Sequence, residues 1–92
     1  MIIRSKHKKR FEVEIGASHT GVRYAKTLRG VLWHLSRANG TVAVTDRQTG
    51  TELFLGNPQQ GYDLIKTMLD NYGGNESLVM DVFITNSMSL RG

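Results

Sequence analysis

The chain has 92 residues, of which 39% are hydrophobic and 22% are charged, with a formal net charge of +4 and no cysteine. This length suits one domain, and the lack of cysteine excludes disulfides, thiol catalysis, zinc ribbons and iron–sulfur clusters. No apolar run approaches the roughly 20 residues of a membrane span, and no long apolar signal region is present, so we expect a soluble, cytoplasmic protein without a membrane partner.

The N-terminal residues 1–10 are predicted to form a basic arm. Alternatively, Ile2 and Ile3 belong to an extra edge strand, with "KHKK" as the tip of a hairpin. The next stretch, "RFEVEIG", alternates apolar and acidic residues. This alternation predicts a half-buried strand.

A helix is predicted from Tyr24 to Ala38, because the apolar residues there recur at helical spacing. Ser18 or Thr20 is the candidate N-cap, and "NG" at 39–40 ends the helix. The stretches "TVAVTD" and "TELFLGN" then predict a hairpin with Gly50 in its turn.

A second helix is predicted to begin at "NPQQ", since Asn57 can cap a helix and Pro58 suits its first position. The "GG" at 73–74 ends that helix. Residues 77–85, "SLVMDVFIT", alternate like a strand, and the remaining residues predict a flexible tail. We thus expect a single domain over residues 11–85, preceded by the arm or edge strand (1–10) and followed by the tail (86–92).

This order indicates an α+β, ferredoxin-like β-α-β-β-α-β sandwich, with a four-stranded antiparallel sheet and two helices on one face. Its central strands would be "FEVEI" and "TELFL". The open sheet face would then carry four acidic residues and two phenylalanines, namely Glu12, Glu14, Glu52, Asp81, Phe54 and Phe83.

Charge is distributed unevenly along the chain. Residues 1–45 contain nine Lys/Arg and two Glu, whereas residues 46–92 contain three Lys/Arg and six acidic residues. Two basic blocks, "RSKHKKR" (4–10) and the stretch 23–37, account for the excess. A one-sided field of this kind favours a polyanionic or acidic partner.

Trp33, the only tryptophan, is predicted to point away from the core. Helix positions lie about 100° apart, which places Trp33 opposite the apolar stripe and among arginines and a lysine. Tryptophan and arginine are enriched in binding hot spots, and an indole among cations suits an unpaired base. Alternatively, the N-terminal segment or a second copy covers Trp33. The residues predicted to bind nucleic acid or another partner are Arg4, Lys6, Lys8, Lys9, Arg10, Arg23, Lys26, Arg29, Trp33 and Arg37.

The predicted open sheet face points to a different contact. An acidic face would repel phosphates, and the central strands lack the aromatic pattern of RNA-recognition domains. Phe54 and Phe83 are instead candidates for a protein contact, such as a homodimer through the sheet face. The alternative is that they are exposed aromatics without a role in binding.

No catalytic or metal-binding arrangement is recognisable in the sequence. None of His7, His19 and His34 lies at metal-ligand spacing from another. Ser18 beside His19 lacks the G-x-S-x-G pattern of a nucleophile elbow. We therefore predict a protein that is not an enzyme and needs no cofactor or metal.

Two functions fit these features. The first is a non-catalytic binding protein whose basic arm and Trp33 helix face engage nucleic acid or a ribonucleoprotein. The second is a small inhibitor or adaptor that docks the same face on an acidic protein surface. By size and character alone, this second hypothesis is analogous to phage-encoded anti-CRISPR inhibitors of a host defence complex.

Overall fold

The structure, a computed structural model, describes residues 9–16 and 21–91. These residues form a four-stranded antiparallel sheet and three helices, which confirms the predicted α+β class and sheet type. Their order is β-β-α-β-β-α-α, so the predicted β-α-β-β-α-β order was wrong. The elements are β1 (Phe11–Ile15), β2 (Gly21–Ala25), α1 (Leu28–Ser36), β3 (Val42–Asp46), β4 (Thr51–Gly56), α2 (Pro58–Asn71) and α3 (Glu76–Arg91).

The strands lie in the order β2-β1-β3-β4. Both β2 and β3 pair antiparallel with β1, so they are parallel to each other, and α1 connects them across β1. The central strands are therefore β1 and β3, whereas the sequence placed β4 in the centre. β4 is an edge strand.

Alternate residues of the central strands face the helices. Phe11 and Val13 of β1 and Val42 and Val44 of β3 are almost completely buried. They share one hydrophobic core with residues from every helix, so the helices pack on a single face of the sheet. The helical core residues are Leu28, Val31, Leu32, Leu35, Ile65, Leu69, Val79 and Met80.

The start of the first predicted helix was wrong, because Gly21–Ala25 form strand β2. Tyr24 lies four residues before Leu28, and this spacing extended the helical pattern into a segment whose valine and tyrosine favour a strand. The helix instead begins after Thr27, whose side chain accepts the Gly30 N–H at 3.1 Å. The predicted caps and the alternative strand containing Ile2 and Ile3 lie outside the described residues.

The predicted last strand, residues 77–85, belongs to helix α3. Its β-branched residues and alternating pattern are typical of a strand. However, the side chains that pack on the core are Val79, Met80, Phe83 and Ile84, which follow the spacing of a helix face. The helix runs to Arg91 and thus includes most of the predicted tail.

The hairpin and the second helix were predicted correctly. β3 and β4 pair across a turn in which Gly50 has a φ of 77°, a value that favours glycine. At the start of α2, the Asn57 side chain accepts the N–H groups of Gln59 and Gln60. Positive φ values at 73–74 end α2.

Gly61 allows α2 to pack closely on β4. A Cβ at this position would lie 2.7 Å from the nearest ring carbon of Phe54. Gly61→Ala should therefore lower the free energy of unfolding by about 1–3 kcal/mol, although alanine is the better helix former. The exposed neighbour Gln60→Ala is the control. Equal stability of the two variants in urea unfolding would contradict this close packing.

Candidate nucleic-acid interface

The sequence of α1 separates a buried face from an exposed one. Leu28, Val31, Leu32 and Leu35 are buried in the core. Residues 29, 33 and 37 lie four positions apart on the opposite side. We define the α1 stripe as Lys26, Arg29, Trp33 and Arg37, all of which are exposed.

Trp33 lies at the centre of the α1 stripe and is 55% exposed, which confirms its predicted outward orientation. The Arg37 guanidinium lies over the indole, 4.4 Å from the ring centroid. The His34 ring contacts the indole ring of Trp33 edge-on, with the two ring centroids 5.1 Å apart. His34 Nε2 lies 3.3 Å from the Tyr24 carbonyl oxygen. Trp33 is thus an exposed, cation-flanked aromatic on a helix attached to the sheet.

The cations of the stripe differ in their electrostatic surroundings. Arg29 forms an ion pair with Glu76 at 3.2 Å and donates to the Gly74 carbonyl oxygen. Among the described residues, no carboxylate pairs with Lys26 or Arg37. Lys26 lies in the turn before α1 rather than on the helix, which corrects its predicted position.

The other predicted basic residues are separated by the fold. Arg23 is exposed on edge strand β2, away from helix α1. Lys9 is exposed before β1. Arg10 donates to both carboxylate oxygens of the fully buried Asp46, at 2.9 and 2.8 Å. Arg10 therefore stabilises the fold, and we leave it out of the interface. Arg4, Lys6 and Lys8 lie outside the described residues.

A groove of about 400 Å³ lies between α1 and α2, beside Trp33. This groove was not predicted from the sequence, because its two walls come from helices about 30 residues apart in the chain. Lys66 forms an exposed ion pair with Asp70 at 3.0 Å. The groove is therefore nearly neutral in charge. Its lining includes Arg29, Leu32, Trp33, Tyr62, Lys66 and Asp70.

Glu76, which the sequence analysis also missed, fixes the start of α1 to α3. Its Oε1 accepts the Leu28 N–H at 2.7 Å, and its Oε2 accepts the Arg29 N–H at 3.3 Å. A carboxylate is favourable here because the helix N-terminus has unpaired N–H groups and a positive dipole end. An acidic residue directly after Asn75 was a signal for a helix start, which the strand interpretation concealed.

Glu76→Ala should lower the free energy of unfolding by about 1–2 kcal/mol, because it leaves the N–H groups of α1 without their carboxylate. Glu76→Gln should have a smaller effect, since it keeps one oxygen acceptor. Urea unfolding measures both. If the alanine variant were as stable as the wild type, Glu76 would not anchor α1.

Phe54 and Phe83 are not on the open sheet face, so their predicted placement was wrong. A β-bulge beside Val44 makes Leu53 an extra residue and pairs Val44 with Phe54, which reverses the expected alternation. Phe54 and Phe83 are both partly buried against the core, Phe83 from helix α3. A protein contact by them stays a prediction.

The open sheet face carries other side chains. Glu12, Glu14 and Glu52 lie on it as predicted, together with Leu55, which is 61% exposed. Asp81 lies on α3 instead. A homodimer through this face stays a prediction, and its apolar contact would be Leu55.

The described residues give no indication of a metal site or of a membrane span. Within residues 9–16 and 21–91, no three His, Asp or Glu side chains are grouped so that they could hold a metal ion. No helix in this part of the chain has the length and apolar content needed to cross a membrane. Comparison with protein families, with curated proteins and with solved structures gave no match to the chain.

Proposed function

We propose that this chain is a non-catalytic, cytoplasmic binding protein that engages nucleic acid or a nucleoprotein complex through the α1 stripe. The observation that carries the proposal is the exposed Trp33 ring, with Arg37 over it at 4.4 Å. Aromatic side chains beside cations bind single strands by stacking on bases and attracting phosphates.

The electrostatics of the stripe support this partner. Lys26 and Arg37 lie on either side of Trp33 without a carboxylate partner among the described residues. Arg29 lies about one helical turn before Trp33 but is paired with Glu76, so the unpaired positive charge on that side of the indole comes from Lys26. A strand whose base stacks on Trp33 would therefore meet a cation in either direction.

The groove supports a second candidate, a small inhibitor or adaptor that binds protein. Arg29 and Lys66 are each paired with a carboxylate, so the groove next to Trp33 offers aromatic and apolar contacts with little net charge. Such a surface suits a protein hot spot better than a phosphate backbone. An anti-CRISPR-type inhibitor of a host defence complex would belong to this class.

Fluorescence anisotropy with labelled single-stranded RNA, single-stranded DNA and duplex DNA of equal length tests the first candidate. At low salt we expect binding of at least one single strand, with affinity that falls as a power of salt concentration. If none of the three binds at low salt, the nucleic-acid proposal is wrong and the groove becomes the leading candidate.

A further inference from the structure

Basic residues from three separate segments meet at one end of the sheet. The register that pairs Phe11 with both Ala25 and Asp46 brings the start of β1 beside the ends of β2 and β3. The Arg47 N–H donates to the Arg10 carbonyl oxygen at 2.8 Å. We call this surface the basic end, and its members are Lys9, Lys26 and Arg47.

Two carboxylates near the basic end, those of Asp46 and Glu76, are already engaged by other groups. Asp46 accepts two hydrogen bonds from Arg10. Glu76 is bonded to the N-terminus of α1 and to Arg29, so that helix terminus is itself not open to a phosphate. Lys9 and Lys26 are exposed, and no carboxylate among the described residues pairs with them.

Arg47 connects the chain segments that form this surface. It donates from its guanidinium to the Lys9 carbonyl oxygen at 3.0 Å, and it lies 5.1 Å from the Tyr24 ring centroid. These contacts fix the backbone of Lys9 against β2 and β3. The position of Lys9 is therefore set by the fold, although its side chain is exposed.

The basic end is continuous with the α1 stripe. Lys26 belongs to both, because it follows β2 directly and precedes Thr27, the cap of α1. Cations without a carboxylate partner among the described residues thus follow one another from Lys9 through Lys26 to Arg37, and Trp33 lies between the last two. Its residues come from separate segments of the chain, which explains why no single stretch of sequence showed this surface.

We propose that the basic end is a second phosphate-binding surface, and that with the α1 stripe it binds one single strand of nucleic acid. This inference rests on the proposed function. Lys9 and Lys26 contact the backbone, while Trp33 stacks on an unpaired base. Single strands fit better than duplexes, because the bases of a duplex are already stacked on one another and paired.

The salt dependence of binding separates the two parts of this surface. The logarithm of the affinity falls linearly with the logarithm of the salt concentration. Each lost phosphate contact makes this slope shallower by about 0.7 for a single strand. Lys9→Ala and Lys26→Ala should each reduce the slope by about this amount with a labelled single-stranded oligonucleotide. Trp33→Ala should weaken binding without changing the slope, since it removes no charge.

Lys66→Ala is the matched control, because Lys66 is exposed but paired with Asp70. We expect its slope to equal that of the wild type. If Lys9→Ala and Lys26→Ala left the slope unchanged while Trp33→Ala still weakened binding, the basic end would not bind phosphates. The proposed function of the α1 stripe would then still hold. Equal affinity for duplex and single strand would overturn the preference for a single strand. Failure of every strand to bind the wild type would overturn both proposals.

Discussion

Replacement of Asp46 by asparagine should lower the free energy of unfolding by about 3 kcal/mol, because it removes the charge of a buried carboxylate that is paired with a partly exposed arginine. Asp46 has no exposed surface, and its carboxylate accepts four hydrogen bonds. Two come from Arg10, one from the Gln48 N–H and one from the Thr49 hydroxyl. An asparagine amide offers one oxygen and turns an NH₂ group towards donors that need an acceptor.

The control for this prediction is the same substitution at an exposed position. Asp70→Asn removes an ion pair with Lys66 whose side chains are 64% and 50% exposed, so it should cost less than about 1 kcal/mol. Urea unfolding of both variants at neutral pH gives the comparison. If the two variants lost similar free energies of unfolding, the Arg10–Asp46 pair would not stabilise the contact between β1 and the β3–β4 turn.

The effect of Asp46→Asn should also depend on pH. Burial by itself would raise the pKa of Asp46, but the hydrogen bonds from Arg10, Thr49 and Gln48 outweigh it and lower the pKa below its usual value. The stabilisation is therefore fully present above about pH 4, the pKa of an unperturbed aspartate, and is lost as the pH falls through the lowered value. The stability difference between wild type and variant should shrink in acid.

Trp33→Ala should weaken binding of a single strand by about 1–3 kcal/mol, which corresponds to roughly 5- to 150-fold in Kd. The ring is 55% exposed and contributes little to the core, so the free energy of unfolding should change much less than the binding energy. Anisotropy measures the binding, and urea unfolding measures the stability.

Two variants make this result specific. Trp33→Phe keeps an aromatic face and should recover part of the affinity that Trp33→Ala loses. Leu55→Ala removes an equally exposed apolar side chain on the opposite sheet face and should leave binding unchanged. If Trp33→Ala bound as tightly as the wild type, the indole would not be part of the interface.

The elements that the sequence predicted well are those whose signals are local. The Asn57–Pro58 helix start and the hairpin turn at Gly50 depend on backbone preferences of a few residues. The outward position of Trp33 was also predictable, because residues 28–36 keep one helical stripe even though the predicted helix began too early.

The elements and contacts that the sequence did not predict depend on tertiary packing. Strand β2 is stabilised by pairing with β1, and α3 by packing of Val79 and Met80 on the core, neither of which a local pattern reveals. The β-bulge at Leu53 turned Phe54 inward. Likewise, Arg10 belongs to a basic block in the sequence, yet its buried partner Asp46 lies 36 residues away.

The central claim, that Trp33 lies at a nucleic-acid interface, is tested most directly by its own fluorescence, since the chain has one tryptophan. The wild-type protein is titrated with short single-stranded RNA and DNA at low and at physiological salt. We expect strong quenching of the emission at low salt that diminishes as salt is added, because base stacking on the indole depends on the same phosphate contacts. Emission that stays unchanged with both strands at low salt would contradict the claim.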